Sequence, residues 1–461
     1  MPQQERNDSL DALRGWAILA MVLSGSIALG GALPAWMYHA QVPPPSHTFD
    51  GSLAGITWVD LVFPFFLFAM GAAIPLALNK SIQEKVSFLT VAFFAARRYV
   101  LLVFFALFFH HMKAWVIADT PGIIEQLLSI LGFVLLFFMF YKDARKRRIF
   151  IAFKVVAFLL AVVLLYILPF NSGQGFLLHK SDIIIIVLAN MAFFGTILWW
   201  LTKDNPWLRI GILPFIMAIF LAGKEGGSWN EMLFNFSPLP WMYKFYYLKY
   251  LFIIVPGSFA GEWMLSHQQP KLSSVNKRAS TLTGLFSLLI IITNLIGLFE
   301  RYLFLNLLST VTCLIIVWWL SKKENNPLHN QFLTAGTYLL LLGLAFEAYE
   351  GGIKKDSSTY SYYFVCSGLA FFMLVFLGCW QQSNPGKRIT RLLAMNGQNP
   401  MVAYVAGALL VTPILSLTQL QPWLNQLNNN AWAGFLKGLI FTSVVCLITV
   451  FTTRKKWFWK T

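Results

Sequence analysis

The stretch HAQVPPPSHTFDGSLAGITWVDLVFPFFLF (residues 39–68) joins a proline-stiffened loop to an apolar run that contains an aspartate, Asp60. A carboxylate inside a membrane helix costs roughly 2.5–3.5 kcal/mol on insertion scales, so it usually has a partner or a task. The loop supplies two histidines, His39 and His47, and His47 is nearer to Asp60 in sequence. Histidine transfers protons near neutral pH, and a neighbouring carboxylate can fix its tautomer. The stretch therefore predicts a membrane helix with a catalytic group beside it.

The composition places the chain among integral membrane proteins. Of its 461 residues, 57% are hydrophobic and 12% are charged, which is more apolar surface than a soluble chain of this length buries. The net charge of +16 comes from short Lys and Arg clusters between apolar runs. Such clusters set topology and predict no nucleic-acid partner. All four cysteines lie in apolar runs without a CxxC pair, which predicts no disulfide framework and no metal site.

The apolar runs predict an all-α, polytopic helical bundle. Runs of about 17 to 25 residues, the length that crosses roughly 30 Å of hydrocarbon, give about fourteen spans, with twelve or thirteen left open. Lys and Arg are concentrated in alternate loops, which predicts that both termini are cytoplasmic. No loop is long enough for a soluble core, so we expect one membrane domain over residues 1–461, with its first helix retained. The runs lie near Leu10, Trp58, Phe88, Ile123, Ile149, Ile183, Ile210, Leu248, Leu282, Tyr302, Phe332, Tyr362, Met401 and Phe435.

Two simpler interpretations compete with a catalytic one at this stage. His47 can be a solvated loop residue, while Asp60 pairs with Arg14 or with a helix end to fix packing. At the start of the first helix, Asp8 and Asp11 suit a capping role. Because Arg14 lies inside the apolar run, we expect it to pair with Asp11 or to bind an anionic ligand.

Several motifs resemble the heparan-alpha-glucosaminide N-acetyltransferase family of transmembrane acyltransferases. They are SLDALRG (residues 9–15), TWVDLVFPFFLFAMG (57–71), KDSSTYSYYF (355–364) and QNPMVAY (398–404). The second matches the family pattern at Asp60 and through the spaced Phe, Pro and Gly positions that follow it. The chain looks most like the bacterial branch, usually filed as a domain of unknown function. The resemblance is strongest over residues 8–140 and 350–461.

The resemblance implies acetyl transfer from cytoplasmic acetyl-CoA to an extracytoplasmic amino sugar or glycan, without a metal. It implies a catalytic histidine with Asp60, and His47 is preferred to His39 because it stands closer before the motif. We expect phosphates of the coenzyme near Arg14, Arg97 and Arg98, since anions favour arginine and helix N-termini. The full set of expected cofactor-binding residues is Asp11, Arg14, Arg97 and Arg98. The expected substrate-binding residues are Lys355, Ser361, Tyr362, Asn399 and Tyr404.

The chain also departs from the family pattern. His47 stands farther from Asp60 than the family histidine does, Ser358 replaces a tryptophan, and Glu125 and Gln126 stand where an arginine commonly follows glutamine. A secondary transporter or a flippase for a sugar or lipid-linked glycan is therefore the alternative, supported by Asp60, Glu125 and Glu262 inside apolar runs. We expect membrane lipid as a partner and a bacterial inner membrane as the location, with a homodimer left open.

Overall fold

The computed structural model describes residues 8–27, 33–141, 147–223, 225–267 and 276–460. Over these ranges the chain is helical and contains no β-strand, which confirms the all-α prediction. Four short helices and three 3₁₀ segments lie between the long helices. The long helices are α1 (Asp8–Ser26), α2 (Trp58–Gln83), α3 (Phe88–His111), α4 (Ile123–Phe140), α5 (Arg147–Ile167), α6 (Ile183–Thr202), α7 (Pro206–Ala222), α8 (Leu251–Ser266), α9 (Lys277–Phe299), α10 (Leu303–Glu324), α11 (Pro327–Tyr349), α12 (Tyr360–Trp380), α13 (Asn384–Gly397), α14 (Pro400–Leu417) and α15 (Ala431–Arg454).

Eleven helices of the described ranges are long and apolar enough to cross a membrane, which marks the chain as an integral membrane protein. They are α2 to α6, α9 to α12, α14 and α15. The other three predicted spans are helices too, but α7 and α8 have only 17 and 16 residues. Helix α1 carries Asp11 and Arg14 near its start. The total of fourteen spans and the cytoplasmic termini stay predictions.

The described residues form two compact units. Unit 1 comprises the described parts of Met1–Asn79, Phe252–Gln398 and Asn428–Leu439. Unit 2 comprises the described parts of Lys80–Leu251, Asn399–Leu427 and Ile440–Thr461. Both units therefore combine segments that are distant in sequence. The prediction of a single domain stays a prediction.

In unit 1, glycines allow α2 and α8 to approach closely. A Cβ atom on Gly261 would lie 2.1 Å from the carbonyl oxygen of Ala72, and one on Gly257 would lie 2.3 Å from that of Phe68. Such small residues four positions apart are typical of tightly packed membrane helices. Gly257 and Gly261 therefore lie at a helix contact. This contact holds α2, the helix that carries Asp60.

Helix α13 is not among the apolar runs of the sequence. Ser383 caps its start by accepting the backbone N–H of Gly386 at 3.1 Å. The helix packs on α1, where a Cβ atom on Gly15 would lie 1.8 Å from the carbonyl oxygen of Leu393. A search for long apolar runs misses this helix because it is short and carries Lys387, Arg388 and Arg391 on exposed positions.

Unit 2 contains a buried polar contact between its helices and a loop. The Asn190 side chain on α6 donates to the carbonyl oxygen of Met242 at 2.9 Å, and the Tyr99 hydroxyl on α3 donates to the same oxygen at 2.9 Å. A buried carbonyl with two donors carries no desolvation penalty. The contact therefore fixes the loop before α8 against α3 and α6.

Candidate active site

Asp60 lies in the first turn of α2 and is almost completely buried, with 2% of its surface exposed. Its Oδ2 accepts the backbone N–H groups of Thr57 at 2.9 Å and Ala40 at 3.2 Å. Its Oδ1 lies 2.7 Å from Nδ1 of His39. Backbone donors at a helix N-terminus stabilise negative charge. The buried Asp60 carboxylate is therefore stabilised by the His39 ring and by backbone hydrogen-bond donors.

His39 is held by this carboxylate and still reaches the surface. A carboxylate that is ionised only accepts hydrogen bonds, so Nδ1 of the neutral ring carries the proton and Nε2 carries the lone pair. The His39 side chain is 40% exposed, whereas that of Asp60 is 2% exposed. An oriented imidazole with an accessible lone pair is the arrangement of a general base or a nucleophile.

Lys355 completes what we call the Asp60 cluster, which consists of His39, Asp60 and Lys355. Its Nζ lies 3.1 Å from Nδ1 and 3.4 Å from Nε2 of His39. It also lies 3.9 Å from Oδ1 of Asp60. Since Nδ1–H is committed to Asp60, the ammonium group cannot donate a hydrogen bond to Nδ1. Lys355 therefore places a positive charge beside the reactive nitrogen.

Two loops of unit 1 bring Lys355 to His39. The Gln41 side chain accepts the backbone N–H of Asp356 at 2.9 Å and donates to its carbonyl oxygen. The backbone N–H of Gly55 donates to the carbonyl oxygen of Ile353 at 2.7 Å. Gly55 has a φ of +136°, a backbone conformation that residues other than glycine rarely adopt. Together these contacts bind the loop before α2 to the loop before α12.

The expected pairing of Asp60 with His47 is wrong, and so is its alternative pairing with Arg14. The backbone N–H of Asp50 donates to the carbonyl oxygen of Gln41 at 2.9 Å, which closes a loop with His47 inside it. The Thr57 hydroxyl donates to the carbonyl oxygen of Tyr38 at 2.6 Å, so His39 rather than His47 returns to the start of α2.

His47 packs edge-on against Tyr38 instead, with ring centroids 4.6 Å apart. Neither ring nitrogen of His47 has a hydrogen-bond partner among the described residues. Burial raises the pKa of the Tyr38 hydroxyl above its usual value, so Tyr38 is not a source of charge for His47. The imidazole of His47 therefore has no carboxylate to orient it.

Two of the expected substrate-binding residues have hydrogen-bond partners at the starts of α2 and α12. The Tyr362 hydroxyl donates to the carbonyl oxygen of Asp60 at 2.8 Å and is buried. The Ser361 hydroxyl lies 2.8 Å from Oγ1 of Thr359, and its backbone N–H donates to the Glu350 carboxylate at 2.8 Å. Tyr362 therefore positions α2, and Ser361 belongs to the start of α12.

Asn399 and Tyr404, expected at the same site, lie in unit 2. The Asn399 side chain donates to Oγ1 of Thr452 at 3.2 Å and to the carbonyl oxygen of Trp457 at 2.9 Å. The Tyr404 hydroxyl donates to Asp182 at 2.9 Å. Both side chains have partners within their own unit, and their role in binding substrate stays a prediction.

The expected cofactor-binding residues are divided between the units. In unit 1, Nη1 of Arg14 lies 3.3 Å from Asp11 and donates to the carbonyl oxygen of Gly397 at 3.1 Å. This confirms the expected Arg14–Asp11 pair. Arg97 and Arg98 are exposed on α3 of unit 2. Their shared role in binding coenzyme phosphates stays a prediction.

Glu125, named above as a sign of transport, has a local partner. Its carboxylate accepts the backbone N–H of Gly122 at 2.7 Å, which caps the start of α4. An acidic residue in this position offsets the free N–H groups of a helix start. The residue therefore has a structural explanation that requires no transport pathway.

Sequence reasoning missed Gln41 and Thr57, which hold the cluster together. Gln41 is 3% exposed and Thr57 is 2% exposed. Gln41 is an uncharged loop residue that neither spacing nor composition distinguishes from its neighbours, whereas Thr57 stands three residues before Asp60, a capping-box spacing that could have identified it. The signal that pointed to Lys355 was its place in the KDSSTYSYYF motif.

Comparison with known proteins gives one family. A family model described as a domain of unknown function, DUF5009, matches residues 6–264, which is more than half of the chain. No curated protein matches the chain. The matched region includes α1 and α2, and therefore Arg14, His39 and Asp60.

Proposed function

Since the chain belongs to the DUF5009 family, whose function is unknown, we propose its activity from the Asp60 cluster. It is a membrane-embedded acyltransferase of the heparan-alpha-glucosaminide N-acetyltransferase type, which moves an acetyl group from acetyl-CoA to an amino sugar or glycan. The observation that carries the proposal is the His39 imidazole. Its Nδ1 is held 2.7 Å from a buried carboxylate while 40% of its side chain stays exposed. A merely structural histidine needs no such access.

In the direct route, Nε2 of His39 takes a proton from the acceptor amine. The amine nitrogen then bonds to the acetyl carbonyl carbon, the carbon–sulfur bond breaks, and the proton passes from the ring to the leaving thiolate. In the covalent route, Nε2 itself attacks the thioester, and the carbon–sulfur bond breaks to release the thiolate. The amine then takes the acetyl group from Nε2, and the proton that the amine loses passes to the thiolate. Both routes consume one acetyl-CoA and one amine, and yield one amide and one free CoA.

Each member of the Asp60 cluster has a role in either route. Asp60 fixes the tautomer that leaves the Nε2 lone pair free, and its charge stabilises the ring when the ring becomes positive. Lys355 stabilises the negative charge that develops on the thioester oxygen as the carbonyl carbon is attacked. Tyr362 acts through the backbone of Asp60 and is a positioning residue.

The substrates follow from the same proposal. Acetyl-CoA approaches from the cytoplasm. Arginines attract its phosphates: Arg14, oriented by Asp11, in unit 1, and Arg97 and Arg98 in unit 2. The acceptor approaches from the opposite side, where the distribution of Lys and Arg puts the loop of His39. The proposed setting is a bacterial inner membrane, with lipid around the helices.

The direct test is acetyl transfer by the purified full-length protein in detergent. Labelled acetyl-CoA is supplied with glucosamine or a glucosamine-ended oligosaccharide, and N-acetyl product is measured. We expect transfer by the wild type and a loss of about 10²–10⁴-fold in kcat for His39→Ala, because a general base contributes that much. His47→Ala is the matched control, since it lies in the same loop without a carboxylate partner.

Three results would contradict the proposal. Equal rates for His39→Ala and the wild type would show that His39 is not the catalytic group. A loss of rate confined to His47→Ala would assign that role to His47. Uptake of the sugar into proteoliposomes without acetylation, together with no thermal stabilisation by acetyl-CoA, would favour the transporter. A ligand that binds the folded state raises the melting temperature by mass action.

A further inference from the structure

Three side chains at helix ends in unit 1 form a second buried group, the Cys379 cluster of Glu324, His329 and Cys379. Glu324 ends α10, His329 lies in the first turn of α11, and Cys379 lies in the last turn of α12. All three are buried. Nothing in the proposed acetyl transfer uses them.

The three ligand atoms converge on one point. Nδ1 of His329 lies 2.7 Å from Oε1 of Glu324. Sγ of Cys379 lies 3.7 Å from the same Nδ1 and 3.8 Å from the same Oε1. In a nucleophile–base–acid relay, the thiol and the carboxylate contact different ring nitrogens. Here both contact Nδ1, so the geometry is that of ligands around a shared centre.

The separations fit a tetrahedral zinc ion. Bonds of about 2.0–2.3 Å from Zn²⁺ to nitrogen, oxygen and sulfur put sulfur about 3.5–3.6 Å from each of the other two ligand atoms, and nitrogen and oxygen about 3.4 Å apart. The two separations that involve Sγ already have this size. Only the nitrogen–oxygen distance must open, by about 0.7 Å, as the shared proton is replaced by the ion.

Polar atoms lie beside the cluster. Oε2 of Glu324 and Oγ1 of Thr283 on α9 are buried and make no hydrogen bond of standard geometry among the described residues. The hydroxyls of Thr283 and Ser280 nevertheless interact with the Glu324 carboxylate. A buried polar atom with incomplete hydrogen bonding often marks a site for a water or an ion in native proteins. Gly378 admits the ring, since a Cβ atom there would lie 2.8 Å from Nε2 of His329.

We propose that Glu324, His329 and Cys379 bind a divalent ion of the Zn²⁺ type. A thiolate together with an imidazole selects such an ion over Mg²⁺ or Ca²⁺, which prefer oxygen ligands. Three protein ligands leave the fourth position of a tetrahedral ion for water. Structural zinc sites usually have four protein ligands, whereas catalytic sites keep one position for water or substrate. Because the ligands come from three helices, the ion ties the ends of α10, α11 and α12 together.

The first test uses the wild-type full-length protein, purified in detergent without a polyhistidine tag. It is treated with a chelator, dialysed and titrated with Co²⁺, which replaces Zn²⁺ and reports thiolate ligation by a charge-transfer absorption band. We expect one equivalent per chain with this band, and displacement of Co²⁺ by Zn²⁺. Absence of the band, or a stabilising effect of Mg²⁺ equal to that of Zn²⁺, would overturn the proposal.

The second test assigns the ligands. We expect Cys379→Ser to abolish the band and to weaken Zn²⁺ binding at least tenfold, the range that applies even to supporting residues of metal sites. Cys446→Ser is the control, because Cys446 is also a buried cysteine but lies in α15. If Cys379→Ser does not fold, the wild-type titration alone decides. An unchanged band in a folded Cys379→Ser protein would refute the assignment.

Discussion

Unit 1 contains two carboxylate–imidazole pairs with the same nitrogen–oxygen distance, 2.7 Å, in different surroundings. In the Asp60 cluster, the third group is an ammonium and the histidine side chain is 40% exposed. In the Cys379 cluster, the third group is a thiol and the histidine side chain is 8% exposed. The pair itself therefore does not determine the chemistry. Access to the ring and the identity of the third partner do.

The difference has an electrostatic reason. An exposed ring can exchange protons with a substrate while the buried carboxylate stays in place, which suits turnover. The buried His329–Glu324 pair has no substrate with which to exchange protons. Separating two opposite charges in a low dielectric is also costly. The first arrangement suits catalysis and the second suits a fixed link between helices.

The largest expected effect is on turnover, for Asp60→Asn. The amide can present its NH₂ group to Nδ1 of His39, which moves the ring proton to Nε2 and removes the reactive lone pair. We expect kcat for acetyl transfer to fall by about 10²–10⁴-fold. Asp50→Asn, in the exposed part of the same loop, is the control. Hydrogen bonds from Ser52 lower the pKa of Asp50 without connecting it to His39.

A wild-type rate for Asp60→Asn would contradict a catalytic role for the His39–Asp60 pair. Both carboxylate–imidazole pairs would then be structural. The thermal midpoint of each variant must be measured as well. A loss of rate with an unchanged midpoint separates chemistry from folding.

The next largest effect is on stability, for Glu324→Gln. Removing one partner of a buried pair leaves the other without compensation, so we expect the free energy of unfolding to fall by about 3–5 kcal/mol. The measurement is chemical unfolding in mixed micelles with a chelator present. Glu84→Gln removes one partner of the exposed Lys80–Glu84 pair and should cost less than about 1 kcal/mol. Equal losses for the two variants would mean that the Cys379 cluster contributes no more than a surface pair.

Lys355→Met tests the third partner of the Asp60 cluster. Loss of a group that stabilises a developing oxyanion lowers kcat by about 10²–10³-fold, and we expect KM to change little. Lys354→Met, one residue earlier, is the control. A rise in KM with constant kcat would instead assign Lys355 to the binding of the acceptor.

The smallest effect is expected for Tyr362→Phe. The variant loses one hydrogen bond to the carbonyl oxygen of Asp60, which is worth about 0.5–1.5 kcal/mol. Since 1.4 kcal/mol corresponds to about tenfold in rate, steady-state kinetics should show at most that loss. Tyr363→Phe is the control, because its hydroxyl contacts Ser358 at 2.6 Å. A loss greater than 100-fold would mean that Tyr362 contacts the substrate directly.

Much of the candidate site could be anticipated from its motifs. Asp60 stood out because a carboxylate in an apolar run is costly, and Lys355 stood out through the KDSSTYSYYF motif. The choice between His39 and His47 could not be made in this way. Proximity in sequence favoured His47, whereas the Gln41–Asp50 backbone bond turns the intervening chain into a closed loop and returns His39 to Asp60.

The amino-acid sequence was enough to predict the long apolar helices, although not α13, because hydrophobicity and helix length are local properties that add along the chain. It also determined that Asp60 needs a partner. The partner of Asp60 depends on tertiary contacts, since the chain folds back to bring His39 to Asp60. Lys355 in turn reaches His39 across 316 positions. The tertiary structure likewise brought Glu324, His329 and Cys379 together, although no spacing rule for metal ligands links them. Side-chain pairing depends on where distant backbones pack, and no short segment contains that information.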